Sequence, residues 1–190
     1  NATGPYTVSV LKNIFGIKSQ KKLRLVQGSH WVVKKIYDGD QAYILQLSDK
    51  RIIFMIPYNK KYTLIGTTDH EVKSFENPKI TDQERTYLIN SINSFIKKKI
   101  NNNDIIWTYA GVRPLIENNN QKLSKISRDY TFEIDDIKGA PIITVFGGKL
   151  TTYRKLSEQI MKKLSKYLSF SSKSWTYNAV SYTHLRAHET

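Results

Sequence analysis

The spacing of the β-rich runs between residues 28 and 69 limits what this chain can fold into more than any other feature. Trp31–Ile36, Gln41–Leu47, Arg51–Tyr58 and Tyr62–Thr68 are rich in β-branched and aromatic residues, the composition of strands. Only short polar turns separate them: Asp38-Gly39-Asp40, Ser48-Asp49-Lys50 and Asn59-Lys60. A parallel neighbour needs a crossover of about a dozen residues or more, so turns this short join antiparallel strands. The segment is expected to form a β-meander.

A helix should follow. Thr81 and Glu84 make a T-x-x-E capping box, and Leu88, Ile92, Phe95, Ile96 and Ile100 fall on one face of the helix it opens. Asn101-Asn102-Asn103 ends it. Three further strands are expected at Ile105–Tyr109, Tyr130–Ile134 and Ile142–Phe146, with a polar, Asn-rich loop at Glu117–Lys125 between the first two. A second helix starts near Thr151 and carries Leu156, Ile160, Leu164 and Leu168 at helical spacing. Lys162, Lys163 and Lys166 gather toward its C-terminal end, where the helix dipole favours cations.

Composition narrows the chemistry. Hydrophobic residues at 39% and aromatics at 12% support a packed core, and cysteine is absent, which excludes disulfides, thiolate metal sites and cysteine nucleophiles. No run of eighteen apolar residues exists to cross a membrane as a helix. The formal charge of +14, from 30 Lys+Arg against 16 Asp+Glu, favours anionic partners, although much of the excess also reads as a solvated lysine surface. Ser181–Thr190 resembles translated sequencing-adapter DNA and is expected to lie outside the fold. His184, His188 and Glu189 there lack the H-e-x-x-h order of a zinc helix, so no metal is expected.

Four places carry chemistry. Phe146-Gly147-Gly148-Lys149-Leu150-Thr151-Thr152-Tyr153-Arg154 runs a strand through a glycine turn into a helix start. Glycines let a ligand approach the backbone, and the first-turn N–H groups of a helix attract anions. The same turn also serves as plain strand–helix geometry, and it is not a Walker A loop, since Leu150 follows Lys149. Arg113, in Gly111-Val112-Arg113-Pro114-Leu115, and Arg128, in Arg128-Asp129-Tyr130, offer planar forks suited to a phosphate or to a surface carboxylate. His30, in Gln27-Gly28-Ser29-His30, heads the first meander strand, and its type suits a general base or a structural core position.

Order decides between these readings. Asn1-Ala2-Thr3-Gly4-Pro5, Gln27-Gly28-Ser29-His30, Asp49-Lys50-Arg51-Ile52-Ile53-Phe54-Met55-Ile56-Pro57-Tyr58, Ile65-Gly66-Thr67-Thr68-Asp69, Trp107-Thr108-Tyr109-Ala110-Gly111-Val112-Arg113-Pro114-Leu115, Arg128-Asp129-Tyr130 and Phe146–Leu156 follow one another along the chain. Together they resemble the FAD-dependent glycerol-3-phosphate dehydrogenases in their bacterial respiratory form, across roughly residues 1 to 180. Ala110 stands where that family often has Ser, and the stretch from Arg128 to Lys149 is slightly short.

The resemblance implies an α+β and α/β fold: an antiparallel-sheet substrate (cap) domain plus the C-terminal part of a Rossmann-like FAD-binding domain. Residues 1–6 would close one FAD-domain segment, 7–110 form the cap, and 111–180 return to the FAD domain. The chain thus resembles an internal fragment, and without a G-x-G-x-x-G turn it is expected to bind FAD poorly alone. Implied roles follow. Arg113 and Arg128 clamp the phosphate of glycerol 3-phosphate, with Thr68, and Thr67 beside it, lining the substrate. His30 takes or orients the C2 hydroxyl proton, and Arg113 and Lys149 complete the catalytic set. Gly4, Gly147, Gly148, Lys149, Leu150, Thr151 and Thr152 face FAD, where Lys149 and the helix start would stabilise charge on the reduced ring.

Implied partners are glycerol 3-phosphate, a membrane quinone and the anionic inner face of the bacterial cell membrane, with a homodimer allowed and nucleic acid not expected. The nearest rival is a glycerol-3-phosphate oxidase that hands electrons to oxygen; the insertion such oxidases often carry is not seen here. A basic nucleic-acid-binding module is the distant rival, and the aromatics argue against it by occupying strand positions that read as core.

Overall fold

The computed structural model describes residues 1–117, 126–136, 139–170 and 174–178. The chain divides into two compact units, Thr3–Ser127 and Asn1–Ala2 with Arg128–Thr190. The adapter-like tail and residues 118–125 of the expected loop lie outside the described residues.

In the larger unit a 3-10 turn, Gly4–Tyr6, leads into α1 (Thr7–Phe15). The strands are β1 (Leu23–Lys34), β2 (Tyr43–Gln46), β3 (Ile52–Tyr58), β4 (Tyr62–Gly66), β5 (His70–Glu71) and β6 (Ile105–Ile116), with α2 (Asp82–Asn93) before β6. The sheet runs β2-β3-β4-β1-β5, and β6 also pairs with β1. Every pairing is antiparallel, as the short turns require. The meander itself needs correcting, because β1 does not pair with β2. Trp31 faces Ile65 of β4 on one edge and Thr108 of β6 on the other, so both edges of β1 are taken. The chain between β1 and β2 therefore crosses to the outer edge of β3.

Alternation along β1 separates two faces. Trp31 and Val33 point one way and join Ile53, Met55, Ile65, Leu88, Ile92 and Ile100 in the core under α2. Each such Leu or Ile contributes about 1.5–3 kcal/mol on burial, which is what holds α2 to the sheet. The capping box forms: Glu84 N donates to Thr81 Oγ1 at 3.2 Å, and Thr81 N donates to Glu84 Oε2 at 2.9 Å. The helix nonetheless stops at Asn93, short of Asn101. The Asn93 side chain donates to Ile100 O at 2.8 Å and accepts from Ile100 N at 2.9 Å, which folds the following segment back. Ile100 thus reaches the core from a loop, while Phe95 is exposed.

The smaller unit holds β7 (Thr131–Asp135) antiparallel to β8 (Ile142–Phe146), and α3 (Tyr153–Leu164). Val145 N donates to Asn1 O at 2.9 Å, so the first residue lies along β8. A 3-10 turn, Leu150–Thr152, precedes α3, and Leu168 lies beyond the helix and is exposed. The 110/111 boundary expected from the sequence falls inside β6, which runs unbroken from Ile105 to Ile116; the compact units divide at 127/128.

Candidate active site

The face of the sheet opposite α2 carries His30 and Arg113. Register puts Val26 beside Arg113, Gly28 beside Gly111 and His30 beside Tyr109, with Gly66 on the other side of His30. Directly paired residues share a face, so Arg113, Gly28, His30 and Gly66 converge.

Two glycines make the room. A Cβ on Gly28 would meet the Arg113 guanidinium, with Nη1 at 2.6 Å, and Thr67 Oγ1 at 2.7 Å. A Cβ on Gly66 would run into the His30 ring, with Nε2 at 2.8 Å. The guanidinium therefore lies across the backbone of β1 next to the histidine. Arg113 Nη1 donates to Asp69 Oδ1 at 3.0 Å and Nη2 to Thr67 Oγ1 at 3.3 Å, which fixes the plane of the fork. The His30 ring stacks on Tyr109 with centroids 4.8 Å apart and planes within 5°. Its Nδ1 is buried and has no hydrogen-bond partner among the described residues. Burial first, and then the Arg113 charge, push the imidazole below its ordinary range, so the ring is neutral near pH 7. A neutral imidazole beside a fixed cationic fork can bind an anion and accept a proton. Along the same face β3 and β6 expose Phe54, Ile56, Tyr58 and Trp107, giving the polar cluster an apolar surround.

Thr68, expected on the substrate side, is placed elsewhere. It is buried; Ser29 N donates to its Oγ1 at 3.0 Å, and Oγ1 donates to Glu84 Oε1 at 2.6 Å. Its neighbour Thr67 is the threonine that reaches Arg113. Gly4 sits at φ +59 at the start of the 3-10 turn before α1.

In the smaller unit Gly147 and Gly148 adopt φ 69 and 109, conformations that favour glycine. Lys149 is extended, and Leu150–Thr152 then wind into the turn that opens α3. The first N–H groups of such a start lack intrahelical acceptors. Lys149 Nζ donates to Asp129 Oδ1 at 3.1 Å, and its side chain is 45% exposed. Arg128 is exposed just before β7. The structure thus gathers His30 and Arg113 in one unit and Lys149, the glycine turn and Arg128 in the other.

Residues 1–154 match the family described as DAO, FAD dependent oxidoreductase. The chain belongs to this family of FAD-dependent oxidoreductases. The aerobic glycerol-3-phosphate dehydrogenase of Escherichia coli (strain K12) is 44% identical over 182 residues, 95% of this chain and 36% of that protein. The D-erythritol 1-phosphate dehydrogenase of Brucella abortus (strain 2308) is 39% identical over 181 residues, 94% of this chain and 36% of that protein. The crystal structure of the Bacillus halodurans glycerol-3-phosphate dehydrogenase complexed with FAD aligns with a TM-score of 0.75 and 31% identity. That alignment covers 93% of this chain and 33% of the other. The chain therefore spans about a third of the length of the relatives it matches.

Within this family member the sequence points to His30 and Arg113 but not to what shapes their site. Gly28, Gly66, Asp69 and Tyr109 shape it. The signal available was glycine inside β-branched runs, which marks a close approach in a strand.

Proposed function

We propose that the protein of which this chain forms part oxidises sn-glycerol 3-phosphate to dihydroxyacetone phosphate with FAD, and passes the electrons to a membrane quinone. The observation that carries this reading is the Arg113 fork held across Gly28 beside a neutral, half-buried His30. Bound FAD supplies the acceptor for the hydride that leaves the substrate carbon. The left-handed glycine pair before the α3 turn fits such a group, because it brings backbone N–H groups and Lys149 to the surface without intervening side chains. Gly147, Gly148, Lys149 and Leu150–Thr152 would hold the cofactor.

The chain's own residues do the rest. Arg113 pairs with the phosphate dianion through a planar, permanently charged fork. Asp69 and Thr67 keep that fork aimed. His30 takes the proton of the hydroxyl under oxidation, a transfer for which its lowered basicity leaves the ring ready at neutral pH. Arg128 is proposed as a further anion-binding group. The chain on its own, with no G-x-G-x-x-G turn, is proposed to be inactive.

The Brucella relative acts on a longer polyol phosphate, so the substrate test compares glycerol 3-phosphate with D-erythritol 1-phosphate on the full-length protein. A higher kcat/KM for glycerol 3-phosphate is expected; preference for the tetritol phosphate would replace it. Reoxidation by a quinone analogue should outpace reoxidation by oxygen, and the reverse result would make the protein an oxidase. A peripheral site on the inner face of the cell membrane fits the groove lined by Lys12, Lys18, Lys21 and Lys22, since each lysine near an anionic surface gains about 1 kcal/mol. No helix among the described residues is long and apolar enough to span a membrane.

Two variants probe the site's construction. Gly66→Ala puts a methyl into the His30 ring and should cost about tenfold or more in kcat, with far-UV circular dichroism unchanged. Lys149→Ala should cost less than the 2.7–4 kcal/mol typical of a buried oxyanion donor. Its ammonium is 45% exposed and already paired with Asp129, so solvent screens it, and about tenfold in kcat/KM is expected. Unchanged turnover would remove Lys149 from the site.

A further inference from the structure

On the far side of β1 from His30 lies a buried carboxylate that the proposed chemistry does not use. Glu84, in the first turn of α2, is 6% exposed. Its Oε1 accepts from Ser29 Oγ at 2.8 Å and from Thr68 Oγ1 at 2.6 Å. Its Oε2 accepts from Thr81 N at 2.9 Å, Thr81 Oγ1 at 3.0 Å and Gln27 Nε2 at 3.1 Å. A helix cap needs only the Thr81 contacts. The remaining donors come from β1 and from the segment after β4, and both segments carry site residues. Ser29 lies between Gly28, which bears the Arg113 fork, and His30. Thr68 lies between Thr67 and Asp69, the two residues that hold Arg113. Thr68 also takes the Ser29 N–H at 3.0 Å, so it bridges the two segments directly.

We propose that Glu84 is a positioning residue, a single buried anchor that locks the strand bearing His30 and the segment bearing Thr67 and Asp69 into one register. Burial alone would push its carboxyl up, but hydrogen bonds from Thr68, the Thr81 backbone, Ser29 and the Thr81 hydroxyl outweigh that and hold it below the ordinary glutamate range. The anchor is therefore ionised, and a charged acceptor grips neutral donors about twice as strongly as a neutral one. The Ser29 branch ends one residue away from His30, which touches substrate in the proposed function, on which this role rests. The Thr68 branch ends beside Thr67 and Asp69, which hold the substrate-binding Arg113. The two branches predict different kinetic signatures. Cutting the Thr68 branch loosens the partners of Arg113 and should act mainly on KM. Cutting the Ser29 branch loosens His30 and should act mainly on kcat.

The test uses the full-length, FAD-loaded protein with glycerol 3-phosphate. Thr68→Val, Ser29→Ala and Glu84→Gln are compared with Leu88→Ala, which destabilises the same helix from the core without touching the network. About tenfold loss in kcat/KM is expected from each folded cut, split as above, with Thr68→Ser restoring activity, while Leu88→Ala lowers Tm and leaves kcat/KM within about twofold. Glu84→Gln keeps the shape but loses the charge, and its loss should be the largest of those that fold. Ser29→Ala removes one hydroxyl and guards against the harsher variants failing to fold. Folded cuts whose kinetics match Leu88→Ala would overturn the positioning role alone. A wild-type protein that carries FAD but does not oxidise glycerol 3-phosphate would overturn the proposed function, and this role with it.

Discussion

Arg113→Ala in the full-length protein is expected to lower kcat/KM for glycerol 3-phosphate by about a thousandfold, chiefly through KM. Truncating one partner of a desolvated charge pair costs on the order of 2–5 kcal/mol, and every 1.4 kcal/mol is about tenfold. The upper part of that range applies for two reasons. The variant removes the fork that matches a phosphate, and it leaves Asp69, only 30% exposed, without the guanidinium that balances it. Arg113→Lys separates the two contributions. A lysine keeps the charge but loses the paired donors to Asp69 and Thr67, so a loss of about tenfold is expected. Equal losses in both variants would mean that geometry carries the affinity. Steady-state kinetics over a range of glycerol 3-phosphate concentrations reads these outcomes.

His30→Asn should lower kcat by about 10² to 10⁴, the usual contribution of a positioned base, with little change in KM. Its pH signature has a definite sign. Burial and the Arg113 charge lower the folded pKa, so the ring is neutral and competent above a value that lies under the ordinary 6.5. The kcat/KM of the wild type should therefore rise with pH through that lowered value and be flat at neutrality, and the limb should vanish in His30→Asn. Arg113→Ala removes one of the two causes and should move the limb to higher pH. Stability follows the same sense. Unfolded chains bind more protons at His30 than folded ones, so this group's contribution is full above the unfolded pKa and is lost as pH falls toward the folded one. A limb that persists in His30→Asn would assign the base elsewhere.

Several elements could be read before the structure, and the reasons differ. β3, β4 and β8 stand out because they are continuous apolar or β-branched runs bounded by polar turns. The start of α2 was legible from the spacing of Thr81 and Glu84 alone. Its end was not, because the stop comes from the Asn93 side chain reaching Ile100, a contact that helical periodicity cannot register. The first half of β1 was hidden by Arg24, Gln27, Gly28 and Ser29, residues poor in strand propensity that are there for tertiary reasons. Gly28 clears space for Arg113, and Gln27 and Ser29 serve Glu84. The second half of β6 was missed for a related reason, since Gly111 and Pro114 break the expected composition while pairing with Gly28 and Leu25. The place of β1 at the centre of the sheet depends on β6, more than seventy residues later, and no local pattern carries that.

The candidate site shows the same division. His30 and Arg113 were visible as residue types in a recognisable order, but their meeting depends on register. Thr68 illustrates the limit most clearly. In an Ile-Gly-Thr-Thr-Asp segment the two threonines are equivalent by composition, and the irregular chain between β4 and β5 sends one to Arg113 and the other to a buried glutamate. The spacing of Thr81 and Glu84 shows only a local capping box, whereas Glu84 also reaches across to Ser29 and Thr68.

Anaerobic mixing of the FAD-loaded full-length protein with glycerol 3-phosphate tests most directly whether the His30–Arg113 face is where substrate is oxidised. The wild type should lose the visible absorbance of oxidised flavin rapidly and in saturable fashion. Arg113→Ala should need far more substrate, and His30→Asn should bleach slowly at every concentration. Wild-type flavin that stays oxidised with substrate present, or both variants bleaching as the wild type does, would contradict the account.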